Sequence, residues 1–156
     1  MDKDEALAAF EQTRRQLLTI LANMPDRIDL TDPVEGEWTI KDILGHITAW
    51  ELTLIQPMQS LIMGKPFSPE IVQDGEAYNR DHAQRRLNLP IDEINKEMHQ
   101  VRGELIRLAA QLPDAVWQNV YEAPWGGRNT LSGLVYGLAL HESEHTHAIV
   151  KWLEGK

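Results

Sequence analysis

A chain of 156 residues with 42% apolar and 25% charged side chains can close one hydrophobic core and is too apolar for a disordered segment. Against 15 Lys and Arg stand 24 Asp and Glu, and the resulting −9 disfavours nucleic-acid phosphates and anionic membrane surfaces as partners. Without cysteine there is no disulfide and no thiolate, so a metal site must draw on His, Asp or Glu.

The N-terminal MDKDEALAAFEQTRRQ is charged and amphipathic, unlike a signal peptide, and no apolar run approaches the ~18 residues of a membrane span. A cytoplasmic protein is expected. Residues 2–24 read as a first helix: Leu7, Phe10, Arg14, Leu17, Leu18 and Leu21 keep a three-and-four spacing, and Pro25 follows its end. After the Asp-, Pro- and Gly-punctuated DRIDLTDPVEGE, Thr39 and Asp42 form a capping-box arrangement. Ile40, Ile43, Ile47, Trp50, Leu54 and Leu61 then carry a second helix to about Met63, with Pro57 expected to kink or weaken it. GKPFSP breaks the chain, and Ser68-Pro69-Glu70 predicts the cap of a short helix over much of 70–87.

From Ile91, the residues Ile94, Met98, Val101, Leu105, Leu108 and Leu112 make a third long helix, ending at Pro113. PDAVWQNVYEAPWGGRN reads as loop and short turn. Asn129 or Thr130 caps a last helix running to about Leu153. Nothing alternates with period two, so no sheet is expected. Four amphipathic helices with short helices in their connections imply a single all-α domain, a four-helix bundle, with an irregular all-α domain as the alternative.

The last helix contains HESEHTH. Leu131, Leu134, Leu138, His141, His145, Ala148 and Trp152 follow one another at intervals of three and four, which makes an inward seam that includes two histidines. At ~100° per residue His141 and His145 stand ~40° apart on one face, whereas His147 lies ~240° from His141 and leaves the seam. Two imidazoles in a bundle seam need partners: hydrogen bonds to other side chains, or a metal ion, for which HxxxH is a suitable spacing. Two ligands are too few for a protein-held metal, so a third must come from another helix. His46, with Ile43 three residues before it and Trp50 four after, sits on the inward face of the second helix, where Gly45 removes bulk. His82 and His99 fall on charged or polar faces and read as surface. His46, His141 and His145 are thus the candidate ligands.

EWTIKDILGHITAWE and the distant HESEHTHAIVKWL, with LPIDEINKEMHQVRGELIRLAAQLPD and APWGGRNTLSGL between them, resemble the DinB-like (DinB/YfiT-like) superfamily over nearly the whole chain. The resemblance implies a four-helix bundle holding a divalent metal, zinc or nickel, through one His of the second helix and two of the last. By motif these are His46, His141 and His145. It also implies pairing into a homodimer, and relatives that are thiol-dependent transferases and isomerases. The family's name gives no ground for DNA binding in a chain of charge −9. No basic cluster here suits an anionic thiol cofactor.

A three-His ion keeps an open position, where it activates a bound water or thiol. Glu144, ~60° from His141 on the seam's rim, is a candidate general base or support for a ligand, with a surface acid as the plain alternative; Glu142 is expected to be exposed. Trp50 and the Tyr78-Asn79 pair are candidate pocket-wall residues, and Arg128 a candidate substrate contact. The expected function is a metal-dependent hydrolase or a transferase of a thiol or small electrophile. The alternative is a protein that binds or sequesters a small molecule without turnover.

Overall fold

The computed structural model describes residues 1–156. Six α-helices account for most of it: α1 (Lys3–Ala22), α2 (Ile40–Glu51), α3 (Ile55–Ile62), α4 (Gly75–Arg86), α5 (Ile91–Gln111) and α6 (Leu131–Glu154). No helix is long and apolar enough to cross a membrane. Asp2 and Glu5 form a capping box at the start of α1, Thr39 and Asp42 another at α2, and Thr130 accepts the Gly133 N–H at α6. Pro57 has no N–H to offer the carbonyl four residues back. The long second helix accordingly breaks into α2, a 3₁₀ turn at Leu52–Leu54, and α3.

The bundle consists of α1, α2 with its continuation α3, α5 and α6. Ala6 and Phe10 share a core cluster with Leu131 and Leu134, while Leu17 shares another with Ile149, so α1 and α6 run parallel. Ile40 packs in the cluster of Ile94, and Met58 in that of Leu108, so α2 and α5 also run parallel. Parallel neighbours cannot be joined by a tight turn. The chain between α3 and α5 must travel back along the bundle, and α4 is that return. It lies against α2, anchored where Arg86 makes a two-pronged ion pair with Glu97 of α5 and where Lys41 donates to the Leu87 and Leu89 carbonyls.

Between the two apolar clusters lies a layer of charge to which each bundle helix contributes one residue. Arg14 donates to Glu142 (2.7 Å) and Glu51 (3.2 Å); Arg102 donates to both Glu51 carboxylate oxygens (2.8 and 2.9 Å) and pairs with Glu142 at 3.2 Å. All four residues are buried. Burial opposes the Arg102 charge, but Glu51 and Glu142 together hold its pKa above the ordinary value. Glu142 is therefore not the exposed acid expected from the seam of α6. That seam describes contact with one neighbour, whereas α6 also packs along α1, whose Thr13 and Arg14 take the Glu142 carboxylate.

Two further expectations are corrected. Val120–Glu122 (β1) and Arg128–Thr130 (β2) pair antiparallel, Val120 opposite Thr130, in a small hairpin. Three-residue strands are too short to show an alternation. The turn between them uses Gly126 and Gly127 at φ +98° and +83°, which glycine adopts without the clash a Cβ would cause. The short helix starts at Gly75, capped by Asp74, and not at Ser68-Pro69-Glu70. The Val72 N–H is committed to the Pro124 carbonyl of the hairpin (2.8 Å), which holds the preceding segment out of a helix.

Candidate metal centre

Two helices deliver three histidines to one point: α2 brings His46, and consecutive turns of α6 bring His141 and His145. The Nε2 atom of His141 lies 2.9 Å from that of His46 and 3.1 Å from that of His145, and the three ring centroids stand 4.7–4.8 Å apart with edge-on planes. All three rings are partly buried. Burial, reinforced by the other histidines, lowers the His46 pKa to about 3, and burial with His145 lowers that of His141 to about 4. Both are neutral at pH 7.

A count of protons shows what this arrangement lacks. The His145 Nδ1 contacts a Glu35 carboxylate oxygen at 2.6 Å, so Nδ1 carries a proton, and in the neutral ring that binds a metal Nε2 presents a bare lone pair. A single N–H on His141 Nε2 serves one of its two nitrogen neighbours and leaves the other facing a lone pair. The Nδ1 of His46 is buried with no hydrogen-bond partner. The three rings are therefore not a self-satisfied polar network. Nitrogens held by a tetrahedral cation stand roughly 3.3 Å apart for bonds of ~2.0–2.1 Å, close to the two contacts that His141 makes, and all three donors lie within 4.8 Å of one another, so the donor set fits a divalent ion.

The surroundings come from every connection of the bundle. The α1–α2 loop supplies Glu35 and also Trp38, whose ring lies 4.5 Å from that of His46. The returning α4 supplies Asn79, whose Oδ1 accepts the Trp50 indole N–H (2.9 Å), and Tyr78, stacked on Trp50 at 4.6 Å and hydrogen-bonded to the Ala49 carbonyl. The hairpin supplies Trp125. A cavity of about 390 Å³ opens beside His46 and His141, bounded by Trp50, Asn79, Trp125, Gly137 and Leu138.

The sequence-derived residues divide accordingly. His46, His141 and His145 come together, and Trp50 and Asn79 line the cavity. Glu144 is exposed, makes no hydrogen bond to any of the three rings and does not line the cavity. Its direction on α6 leads outward to solvent. His99, His147 and Arg128 are exposed. His82 is half-buried against Tyr78 and Arg86 instead of lying free on the surface. Gly45 makes room for α4 more than for the histidine: a Cβ there would stand 2.8 Å from Arg86 Cδ. Sequence reading missed Glu35 and Trp125, both on loops without periodicity.

A down-up-up-down bundle in which three histidines converge beside a pocket defines a class of helical proteins. The DinB superfamily profile matches residues 9–149, and the chain belongs to that superfamily. No curated protein matches the chain. Among solved structures, an uncharacterised protein from Escherichia coli UTI89 superposes with a TM-score of 0.77 at 16% identity, over 99% of this chain and 94% of its own. YfiT from Bacillus subtilis, described as "a probable metal-dependent hydrolase with an unusual four-helix bundle topology", gives 0.71 at 16% identity over 98% and 86%. A mycothiol-dependent maleylpyruvate isomerase gives 0.76 at 12% identity; the match takes in 96% of this chain and 61% of the isomerase. These likenesses establish the fold.

Proposed function

We propose that His46, His141 and His145 hold a divalent cation, zinc or nickel, and that the chain is a metal-dependent hydrolase or small-molecule transferase. The observation that carries this reading is the convergence of three Nε2 atoms that cannot satisfy one another with the protons available. The description of YfiT as metal-dependent and the thiol dependence of the isomerase support the same direction. Three neutral imidazoles leave the ion's charge uncompensated and one position open, and an ion so placed activates a bound water or thiol near neutral pH.

The chain's own residues prepare that position. Glu35 fixes the His145 tautomer, turning Nε2 inward. Trp38 covers His46 on its loop side. The cavity admits a ligand beside His46 and His141.

The test is metal content by mass spectrometry on protein purified without a nickel column, followed by zinc titration. Near-stoichiometric binding that weakens at least a hundredfold in both His46→Ala and His141→Ala is expected. Failure to bind zinc or nickel would sink the reading. A second reading, binding of a small molecule without turnover, is favoured by one observation: no carboxylate lines the cavity to act as general base. Ligand-induced thermal shifts unaffected by either histidine substitution would select it.

A further inference from the structure

The cavity beside the histidines has an unusual wall for a site in a protein of charge −9: no Lys, Arg, Asp or Glu contributes to it. Trp50, Trp125 and Leu138 make up its apolar surface, and Asn79, His46 and His141 its polar surface. The two indoles are set differently, and Trp125 is 36% exposed. Trp50 is fixed by its N–H bond to Asn79 and by the tilted stack with Tyr78. Trp125 rides on the hairpin turn, where Ala123 donates to Gly127 and Gly126 to Ala123, both at 2.9 Å. Its Cζ2 lies 3.5 Å from where a Cβ would stand on Gly137, so the indole faces α6 across the space of one methyl group.

No cation contributes to the cavity wall. Arg86 is spent on Glu97 and His82, and Arg128 is exposed and not part of the wall. An anionic group on the body of a ligand would lose water in this cavity and meet no countercharge other than the ion itself. A flat apolar body instead meets two aromatic surfaces, of which Trp50 is already fixed by its hydrogen bond and ring contact.

Resting on the metal reading above, we infer that this site selects small molecules with one metal-binding oxygen or sulfur attached to an uncharged, flat, apolar body, with Trp125 as the specificity-determining residue. Highly polar thiols that carry charges away from the sulfur are excluded as a class.

The test uses the full chain stripped with chelator and loaded with Co²⁺, whose visible bands report coordination and whose sulfur-to-cobalt absorption reports thiol binding. Two probes share a thiol and a ring and differ in remote charge: benzyl mercaptan and 4-(mercaptomethyl)benzoate. Benzyl mercaptan is expected to bind at least tenfold more tightly. Trp125→Ala should weaken it about tenfold and Trp125→Phe should restore it, with cobalt affinity within twofold throughout. Equal affinity for the two thiols, or indifference to Trp125→Ala, overturns the inference while leaving the metal reading intact. Absence of cobalt bands instead removes the metal reading. Pocket selectivity is then read in the metal-free chain from tryptophan quenching by 4-nitrobenzyl alcohol and by 4-nitrobenzoate. Saturable quenching by the alcohol alone, lost in Trp125→Ala, upholds it; quenching by both or neither overturns it.

Discussion

Glu35 shows how a residue outside the ligand set governs it. Its carboxylate is the group that assigns the His145 proton to Nδ1, and it approaches from a loop, with no periodic neighbour to mark it in the sequence. Glu35→Ala leaves the tautomer free and the ring unbraced, and metal affinity is expected to fall about 10–100-fold. Competition with a chelator of known zinc affinity measures this; His147→Ala, on the exposed face, is expected to stay within twofold of wild type. Retained affinity in Glu35→Ala would show that packing alone orients His145. At this scale the sequence was informative where a face decides the role. The inward phase of α2 and α6 singled out three histidines from six. It misplaced Glu142, expected on the exposed side, although Arg14 within the apolar stripe of α1 was the available signal: a cation on a buried face requires an anion, and the partner had to be an acid on another helix.

At the scale of elements, α4 depends on a glycine of its neighbour. Arg86 passes over Gly45 to reach Glu97, and it is too firmly held to swing aside. Gly45→Ala, although it favours helix locally, forces that side chain to shift and is expected to cost about 1–3 kcal/mol. Gly103→Ala in α5 meets nothing within 4 Å and is expected to gain about 0.5–1 kcal/mol. Urea unfolding of the two variants should move in opposite directions. The long helices were legible because burial imposes a 3.6-residue period. The hairpin was not, since each strand is too short to register an alternation, and the start of α4 was misplaced because a tertiary hydrogen bond from Val72 decides it.

For the whole molecule, the lowered histidine pKa values bear on stability. In the metal-free protein His46 and His141 take up protons only near pH 3 and 4, whereas in the unfolded chain histidines do so near 6.5. Between those limits the unfolded state binds more protons, so stability is fully present above about pH 6.5 and drains away as pH falls toward 4. Thermal melts in chelator across this range should show Tm falling with pH, with a shallower slope in His46→Gln. An unchanged slope in that variant would place the acid sensitivity in the carboxylates instead.

The layer of Arg14, Glu51, Arg102 and Glu142 carries a consequence for how the chain finds its topology. Its two acids sit on α2 and α6 and its two bases on α1 and α5, so each helix bears one sign at one height. Sliding any helix by one turn, ~5.4 Å, would leave charges buried opposite hydrocarbon, and seating α1 where α2 belongs would set like against like. Apolar clusters above and below tolerate many packings, whereas this layer accepts very few. It acts as a registration mark: a code of one letter per helix that admits the alignment bringing His46 level with His141 and rejects its near misses.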